Sequence, residues 1–514
     1  MKLEKQSVEW AVKHVEKQRD TDLFPQLKEY IILFRNKELL INEISEIDIG
    51  SYVWQPYRRF IIPKDEYSYR VAIQLDPIDN LLFVALTYQI GNKIEARRIS
   101  IEENKVFNYR FNPNEEGELY DKKDVWKKFW NTSAEKAKNY GYAVYIDIAD
   151  FYNRIYHHTL ENQLIDCEIE NQLIKAIKNL LQNTTQTTSQ GIPIGPHASH
   201  LYAELCLIPL DNNLTYKGYD FCRYSDDIIV FAETEMDAHI VIFEMAKMLD
   251  SLKLNMQRHK TKIYVKEDFI TYCNNMKNDN PINELENEMI KTLEKYSSDP
   301  YASIDFSSVE EIDKNVFSKE KIEKILNEYL DDSPDFQRIR WLFRRLSKIG
   351  VDTAIDLVLL RFNDLIPALN DIALYFASVA DNSDDVLKET GENIIALLNN
   401  KLVKSNEFFQ LTLTSLFANT HKFNNISVLL GMFNYSSDSI KREIILAAYK
   451  ANMSSWIRDT KQEYYNLGLW GQRAILMASE LLPKDERKFF IQSVRASQMN
   501  KTADIISQVL LKHI

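Results

Sequence analysis

Two aspartates, Asp226 and Asp227, stand side by side between apolar runs in DFCRYSDDIIVFAE (220–233). The flanking runs read as short antiparallel strands about a tight turn, which places both carboxylates at one end of a buried sheet. Like charges held together there repel, so a natural reason to keep them is a divalent cation; Mg²⁺ takes hard oxygen ligands and completes its shell with waters and substrate phosphates. Two such ions roughly 3.5–4 Å apart would activate an attacking hydroxyl and stabilise a leaving pyrophosphate. The competing reading is an Asp-rich hairpin kept for turn geometry, and the tetrapeptide alone does not decide between them.

Other segments sharpen the choice. GYAVYIDIADFYNRI (141–155) reads as a strand that delivers Asp147 and then Asp150, with Phe151 and Tyr152 directly after. Such an Asp is either a further cation ligand or the cap of the next helix. SQGIPIGPHASHLYAEL (189–205) is a Gly/Pro turn opening into a helix, where Gln190-Gly191 either lets backbone approach a nucleotide or is only a loop before a core helix. Lys260, in LKLNMQRHKTKIY (252–264), stands in a basic turn before a strand, fit to protonate a departing pyrophosphate or to be a surface charge. Upstream, Lys64, Arg70 and Arg110 suit triphosphate oxygens, although scattered cations are commonly just solvated. Taken in order, these pieces are those needed to build one nucleotidyl-transfer site.

At 514 residues the chain should hold two or three domains, and 45% hydrophobic with 27% charged residues is a globular balance. No run of 18 or so apolar residues suggests a membrane span, and MKLEKQSVEW lacks a secretory core, so a cytoplasmic protein is expected. Cys167, Cys206, Cys222 and Cys273 are far apart without a CxxC pair, which reads as reduced, packed thiols. The net charge of −12 is unpromising for a nucleic-acid binder, but residues 277–333 carry 15 acidic groups against 7 lysines, so a cationic groove elsewhere remains open. Residues 1–45 read as amphipathic helix, and the stretch from about 51 to 110 as short β-type runs (AIQL, LLFVALTYQI) with turns. The expected fold is α+β. A domain on an antiparallel sheet fills residues 1–274, an acidic boundary with a helix or two covers 275–334, and an all-α region resembling HEAT-type stacks, or an irregular helical bundle, fills 335–514. Within the last, Phe336, Ile339, Phe343 and Leu346 share a helical face ahead of Gly350 as a C-cap.

With these motifs in this order, roughly residues 60–265 resemble a reverse transcriptase with fingers and palm. The resemblance implies Asp147 and Asp226 as main ligands of a two-metal Mg²⁺ site in which Mn²⁺ can substitute, the Ile148 carbonyl as a further ligand and Asp227 as supporting acid. It also implies Tyr152 as the steric gate that excludes a 2′-OH, Gln190 and Gly191 as lining of the nucleotide and template pocket, Lys260 as the proton-donating lysine, and Lys64 and Arg70 as triphosphate ligands. FYNRIYHHTL, GIPIGPHASHLYAEL, VFNYRF and the helical C-terminal region look most like the abortive-infection, or defence-associated, enzymes of bacteria. Gly195-Pro196 stands where mobile-element enzymes usually carry Ser-Pro, and no maturase-type thumb, RNase H acidic set or endonuclease motif is seen. What this likeness implies is a homo-oligomeric polymerase of the bacterial cytoplasm that uses dNTPs and acts against phages. It would start single-stranded DNA on a tyrosine of its own chain, leaving the product covalently attached, and would work without a template. Tyr30 in EYIILF is the guess for that primer. The alternatives are templated copying of a non-coding RNA, or a non-catalytic helical-repeat scaffold.

Overall fold

The first strands, β1 (Arg58–Pro63) and β2 (Tyr69–Gln74), form a two-stranded hairpin. Asp65 shapes its turn by accepting from the Tyr67 and Ser68 N–H groups at 3.1 and 2.8 Å. A second, antiparallel sheet has the order β4-β5-β3-β6, built from β3 (Tyr142–Asp147), β4 (Phe221–Tyr224), β5 (Asp227–Ala232) and β6 (Lys262–Val265). The structure, a computed structural model, describes residues 1–121, 124–277, 282–296, 304, 308–331, 334–379, 384–497 and 500–513. Among the described residues no strand follows β6, and no helix is long and apolar enough to cross a membrane.

Helix α1 (Lys5–Gln18) packs on α2 (Pro77–Glu95). The run LLFVALTYQI, expected as β-type, is the middle of α2. Asp76 caps this helix by accepting from the Ile78 N–H at 3.0 Å, and Pro77 opens it. Because α2 is buried almost all round, its sequence shows no amphipathic stripe and imitates a buried strand.

On one face of the main sheet, Ala143, Tyr145, Cys222, Ile229 and Phe231 meet Phe129, Trp130, Ala134 and Ala137 of α3 (Val125–Ala137), with Phe269 and Cys273 of α6 (Lys266–Lys277). Two further helices of this part are α4 (Ser199–Tyr216) and α5 (Glu235–Ser251), and α5 packs on β3 and β5. All four cysteines are buried thiols.

The chain divides into two compact units. Unit 1 takes residues 1–22, 36–57 and 73–279, and holds the main sheet. Unit 2 takes 280–514 and also the segments 23–35 and 58–72, which the linear reading had put with the sheet. Its main helices are α7 (Phe336–Ile349), α8 (Leu369–Val379), α9 (Glu407–Asn419), α10 (Asp438–Lys450), α11 (Leu469–Ala478) and α12 (Lys501–Lys512), each packed on the next. Gly350 ends α7 in the left-handed conformation at φ 62°. The segment 23–35 joins this array because its helix Glu29–Leu33 packs on α11 and α12, and β1 does so because it packs on α9.

Candidate active site

Strand register sets the site. Asp147 at the end of β3 lies directly opposite Asp227 at the start of β5, so both side chains leave the same face of the sheet. Tyr224 flanks Asp227 on β4. Ser225 and Asp226 form the two-residue loop between β4 and β5, and Ser225 sits at φ 55°, a conformation that favours glycine. The strain is clamped from beneath. Buried Arg223 donates Nη1 to the Ser225 carbonyl at 3.0 Å while its other nitrogens hold Asp211 at 2.7 and 2.6 Å and Glu204 at 2.9 Å.

Tyr145 shares the Asp147 face two residues earlier, and its hydroxyl donates to Asp227. The ammonium of Lys260, just ahead of β6, donates to Asp147 Oδ2. Beyond β3 the pairing continues as a bridge between Ile148 and Met256, with Ala149 N–H on Asn255 O at 2.8 Å and Gln257 N–H on Asp147 O at 2.7 Å. In that antiparallel register the Ile148 carbonyl points away from this partner and toward the turn that carries Asp226.

The electrostatics follow from the crowding. Burial, then the Asp147 charge, raise the Asp226 carboxyl above the usual range. Burial and the neighbouring Asp226 push Asp227 up to about 7. Burial works against the Lys260 charge, but its bond to Asp147 raises the ammonium overall. Carboxyls whose charges are mutually opposed, on hard oxygen donors, suit a divalent cation in chemical type. Among the described residues no three His, Cys, Asp or Glu side chains stand at ready metal-ligating spacing, and the Lys260 ammonium takes one Asp147 oxygen in this conformation. A cation on Asp147 would replace that ammonium, whose side chain is half-exposed and has room to turn away.

The structure brings Tyr152 and Gln190-Gly191 together by a backbone ladder. Gly191 N–H donates to Ile155 O at 2.7 Å, Ile192 N–H to Tyr152 O at 2.9 Å, and His157 N–H to Ser189 O at 3.0 Å. Gly191 has φ 98°. A Cβ there would lie 3.3 Å from Asn153 O, so both conformation and space favour glycine. The His157 ring nitrogen Nε2 donates to the Gly191 carbonyl at 2.6 Å and fixes the loop further. Gln190 is exposed.

Three expectations change, those for the Asp150 cap, Arg110 and Tyr30. Asp150 makes no side-chain cap to the short helix after it and sits at φ 48°, and Asp147 is taken by Lys260, so the capping reading of this pair falls away. Arg110 is buried against Glu95 and is a structural ion pair, not a triphosphate ligand. Lys64 and Arg70 lie on the β1–β2 hairpin, in the segment that belongs to unit 2. Tyr30 is 2% exposed in the core of unit 2, stacked on Phe34, which denies its hydroxyl the access a primer needs. The residues that the sequence reading passed over are Tyr145 and His157. Tyr145 was within reach, because strand alternation puts it on the face of Asp147. His157 meets the Gly191 carbonyl, a contact distant in sequence, and no local pattern marks it.

Residues 62–293 match the family described as Reverse transcriptase (RNA-dependent DNA polymerase). That span contains β3 to β6 and every carboxylate of the cluster. No curated protein matches the chain. Among solved structures, apo telomerase from Candida tropicalis is similar over 73% of this chain and 73% of its own, at 13% identity and a TM-score of 0.32. Telomerase from Candida albicans in complex with a TWJ fragment of telomeric RNA is similar over 69% and 65%, at 10% identity and a TM-score of 0.29. The chain carries a reverse-transcriptase domain and is a nucleotidyltransferase of the RNA-directed DNA polymerase type.

Proposed function

We propose that the protein is a Mg²⁺-dependent DNA polymerase of the reverse-transcriptase type serving anti-phage defence, which starts single-stranded DNA on a tyrosine of its own chain and extends it without a template. The observation that carries the polymerase reading is Asp147 set opposite Asp227, with Asp226 beside them in a strained and clamped turn. Asp147, Asp226 and the Ile148 carbonyl are the groups that would hold Mg²⁺ or Mn²⁺, with Asp227 in support. Such ions, when bound, lower the pKa of an attacking hydroxyl and neutralise developing charge on the phosphates.

The chain's own residues do the rest. Lys260, half-exposed beside Asp147, gives its proton to the departing pyrophosphate. Tyr152 stands against the sugar, and Gln190 and Gly191 form the wall to which the Tyr152 segment is laddered. Lys64 and Arg70 are carried as triphosphate ligands by the resemblance alone. The defence reading is supported by GIPIGPHASHLYAEL, with Gly195-Pro196 in place of Ser-Pro, and by the stretch after the polymerase segment, whose regular elements among the described residues are all helices. We read unit 2 as a HEAT-like scaffold for homo-oligomerisation and for the DNA product, since helix arrays offer extended binding surfaces. With Tyr30 buried, the primer is to be sought among exposed tyrosines such as Tyr67, Tyr216 and Tyr435.

The test is incubation of the purified protein with each labelled dNTP and Mg²⁺, without primer or template, run on a denaturing gel before and after protease. The expected result is label that travels with the protein, is freed by protease and is missing from Asp226→Ala. Extension only with added primer and RNA would replace self-priming by templated copying, as of a non-coding RNA. No product dependent on Asp226 under either condition would overturn the polymerase reading.

A further inference from the structure

Tyr152 is held from behind by groups outside the carboxylate cluster. Its hydroxyl lies 2.6 Å from Nδ1 of His200, on α4, and the two rings meet edge to face with centroids 5.9 Å apart. His200 in turn lies flat on Tyr109, with ring centroids 3.9 Å apart and planes inclined by 3°. Tyr120 abuts both of these rings at an angle.

The stack is imposed on the backbone. Tyr109 sits at φ 47°, a left-handed conformation that is costly for a bulky aromatic residue and persists only where the surroundings enforce it. The enforcing group is Arg98, whose guanidinium donates to the carbonyls of Asn108 and Tyr109 at 2.9 and 2.7 Å and to Glu204 at 2.6 Å. Glu204 lies one helical turn beyond His200 on α4, so a single buried arginine ties the strained turn to the helix that presents His200. Asn108 Oδ1 completes the turn by accepting the Tyr109 N–H at 2.9 Å. A half-buried tyrosine hydroxyl could be satisfied by water, with no need for a strained residue stacked behind its partner.

We infer that His200, backed by Tyr109, is a positioning residue for Tyr152 and thereby sets the enzyme's discrimination between deoxyribonucleotides and ribonucleotides. This rests on the polymerase reading, in which Tyr152 faces the sugar. A ring anchored only by packing can rock aside when a 2′-OH presses on it. One pinned through its hydroxyl stays in place, and a wall excludes a substituent only as far as it fails to yield.

The experiment measures kcat and KM for a dNTP and the matching rNTP with the wild type, His200→Ala, Tyr152→Phe, the double variant and His200→Gln. Each of the first two variants is expected to lower the dNTP-over-rNTP ratio of kcat/KM by about fivefold or more, the scale of one neutral hydrogen bond. The change should appear mainly as a lower KM for the rNTP. The double variant should lose no more than either single one, and His200→Gln, which can still accept from Tyr152, should recover part of the ratio. Tyr152→Phe removes one oxygen and is the mildest probe, so it decides the matter if His200→Ala fails to fold. A wild-type ratio in Tyr152→Phe, or losses that add in the double variant, would overturn the inference while leaving the polymerase reading intact. A wild type that incorporates neither nucleotide would instead bring down the polymerase reading and the inference with it.

Discussion

Glu29 is fully buried with Arg442 Nη2 2.5 Å from one carboxylate oxygen and Arg473 Nε 3.5 Å from the other. Burial alone would raise its pKa, yet Arg442 and Arg473 hold it down to about 2. A carboxyl whose folded pKa is depressed stabilises the fold above its unfolded value, and that stability is lost as the pH falls. Acid unfolding of unit 2 should therefore steepen from about pH 4.5 down to 2 in the wild type but not in Glu29→Gln. At neutral pH the same substitution removes a buried negative charge from beside Arg473 and from beside Arg442, which keeps its pairing with Glu443, and should cost about 3–5 kcal/mol by thermal unfolding. At the catalytic end, Lys260→Met should slow incorporation by about 10²–10⁴-fold while leaving the thermal midpoint nearly unchanged, because the proposed role of this half-exposed side chain is proton delivery. The carboxylates and Lys260 were legible in the sequence because each sits in a short motif whose chemistry is local. Arg110 and Tyr30 were misread because their partners, Glu95 in one case and the core of unit 2 in the other, are set by packing that no local spacing reveals.

Among the elements, the Gly/Pro loop before α4 explains its own departure from Ser-Pro. Gly195 has φ 134°, a Cβ there would stand 2.4 Å from the Ile73 carbonyl, and Ile73 N–H donates to Ile194 O at 2.7 Å. Gly195→Ser should therefore cost about 1–3 kcal/mol and loosen the seating of β2 on the loop, as seen in unfolding and in faster amide exchange at Ile73. Helix α2 carries a similar constraint, since a Cβ on Gly91 would fall 2.3 to 2.5 Å from ring atoms of Phe111. The paired strands of the palm-like sheet were legible because an apolar run ending in a polar turn is a strong local signal, and α7 was legible from its single apolar face and Gly350. Helix α2 was not, since an element buried on all sides carries no periodicity with which to announce its type.

For the molecule as a whole, the two units do not follow a linear cut. Segments 23–35 and 58–72 lie in the core of unit 2, where Phe24 and Phe60 meet Phe408, and Arg58 pairs with Glu443 at 3.2 Å. A chain ended at residue 279 would lack their partners and expose Phe24, Leu27, Ile32, Leu33 and Phe60. It should bind a hydrophobic dye and aggregate on size exclusion, whereas a well-behaved monomeric fragment would show that these segments are not built into unit 2. Composition and periodicity announced a sheet-bearing part and a helical part, but not this exchange, because segments so short carry no mark of the core they join. The central claim is that Asp147 and Asp226 form a divalent-metal site for nucleotidyl transfer. It is tested most directly by following incorporation of a labelled dNTP against Mg²⁺ concentration in the wild type and in Asp226→Asn, a substitution that keeps the side-chain shape and removes the charge. The account predicts saturable, EDTA-sensitive incorporation in the wild type and a loss of at least about 10³-fold in the variant, the scale of removing a metal's charge stabilisation. Incorporation that persists in Asp226→Asn, or that is indifferent to the cation, would contradict it.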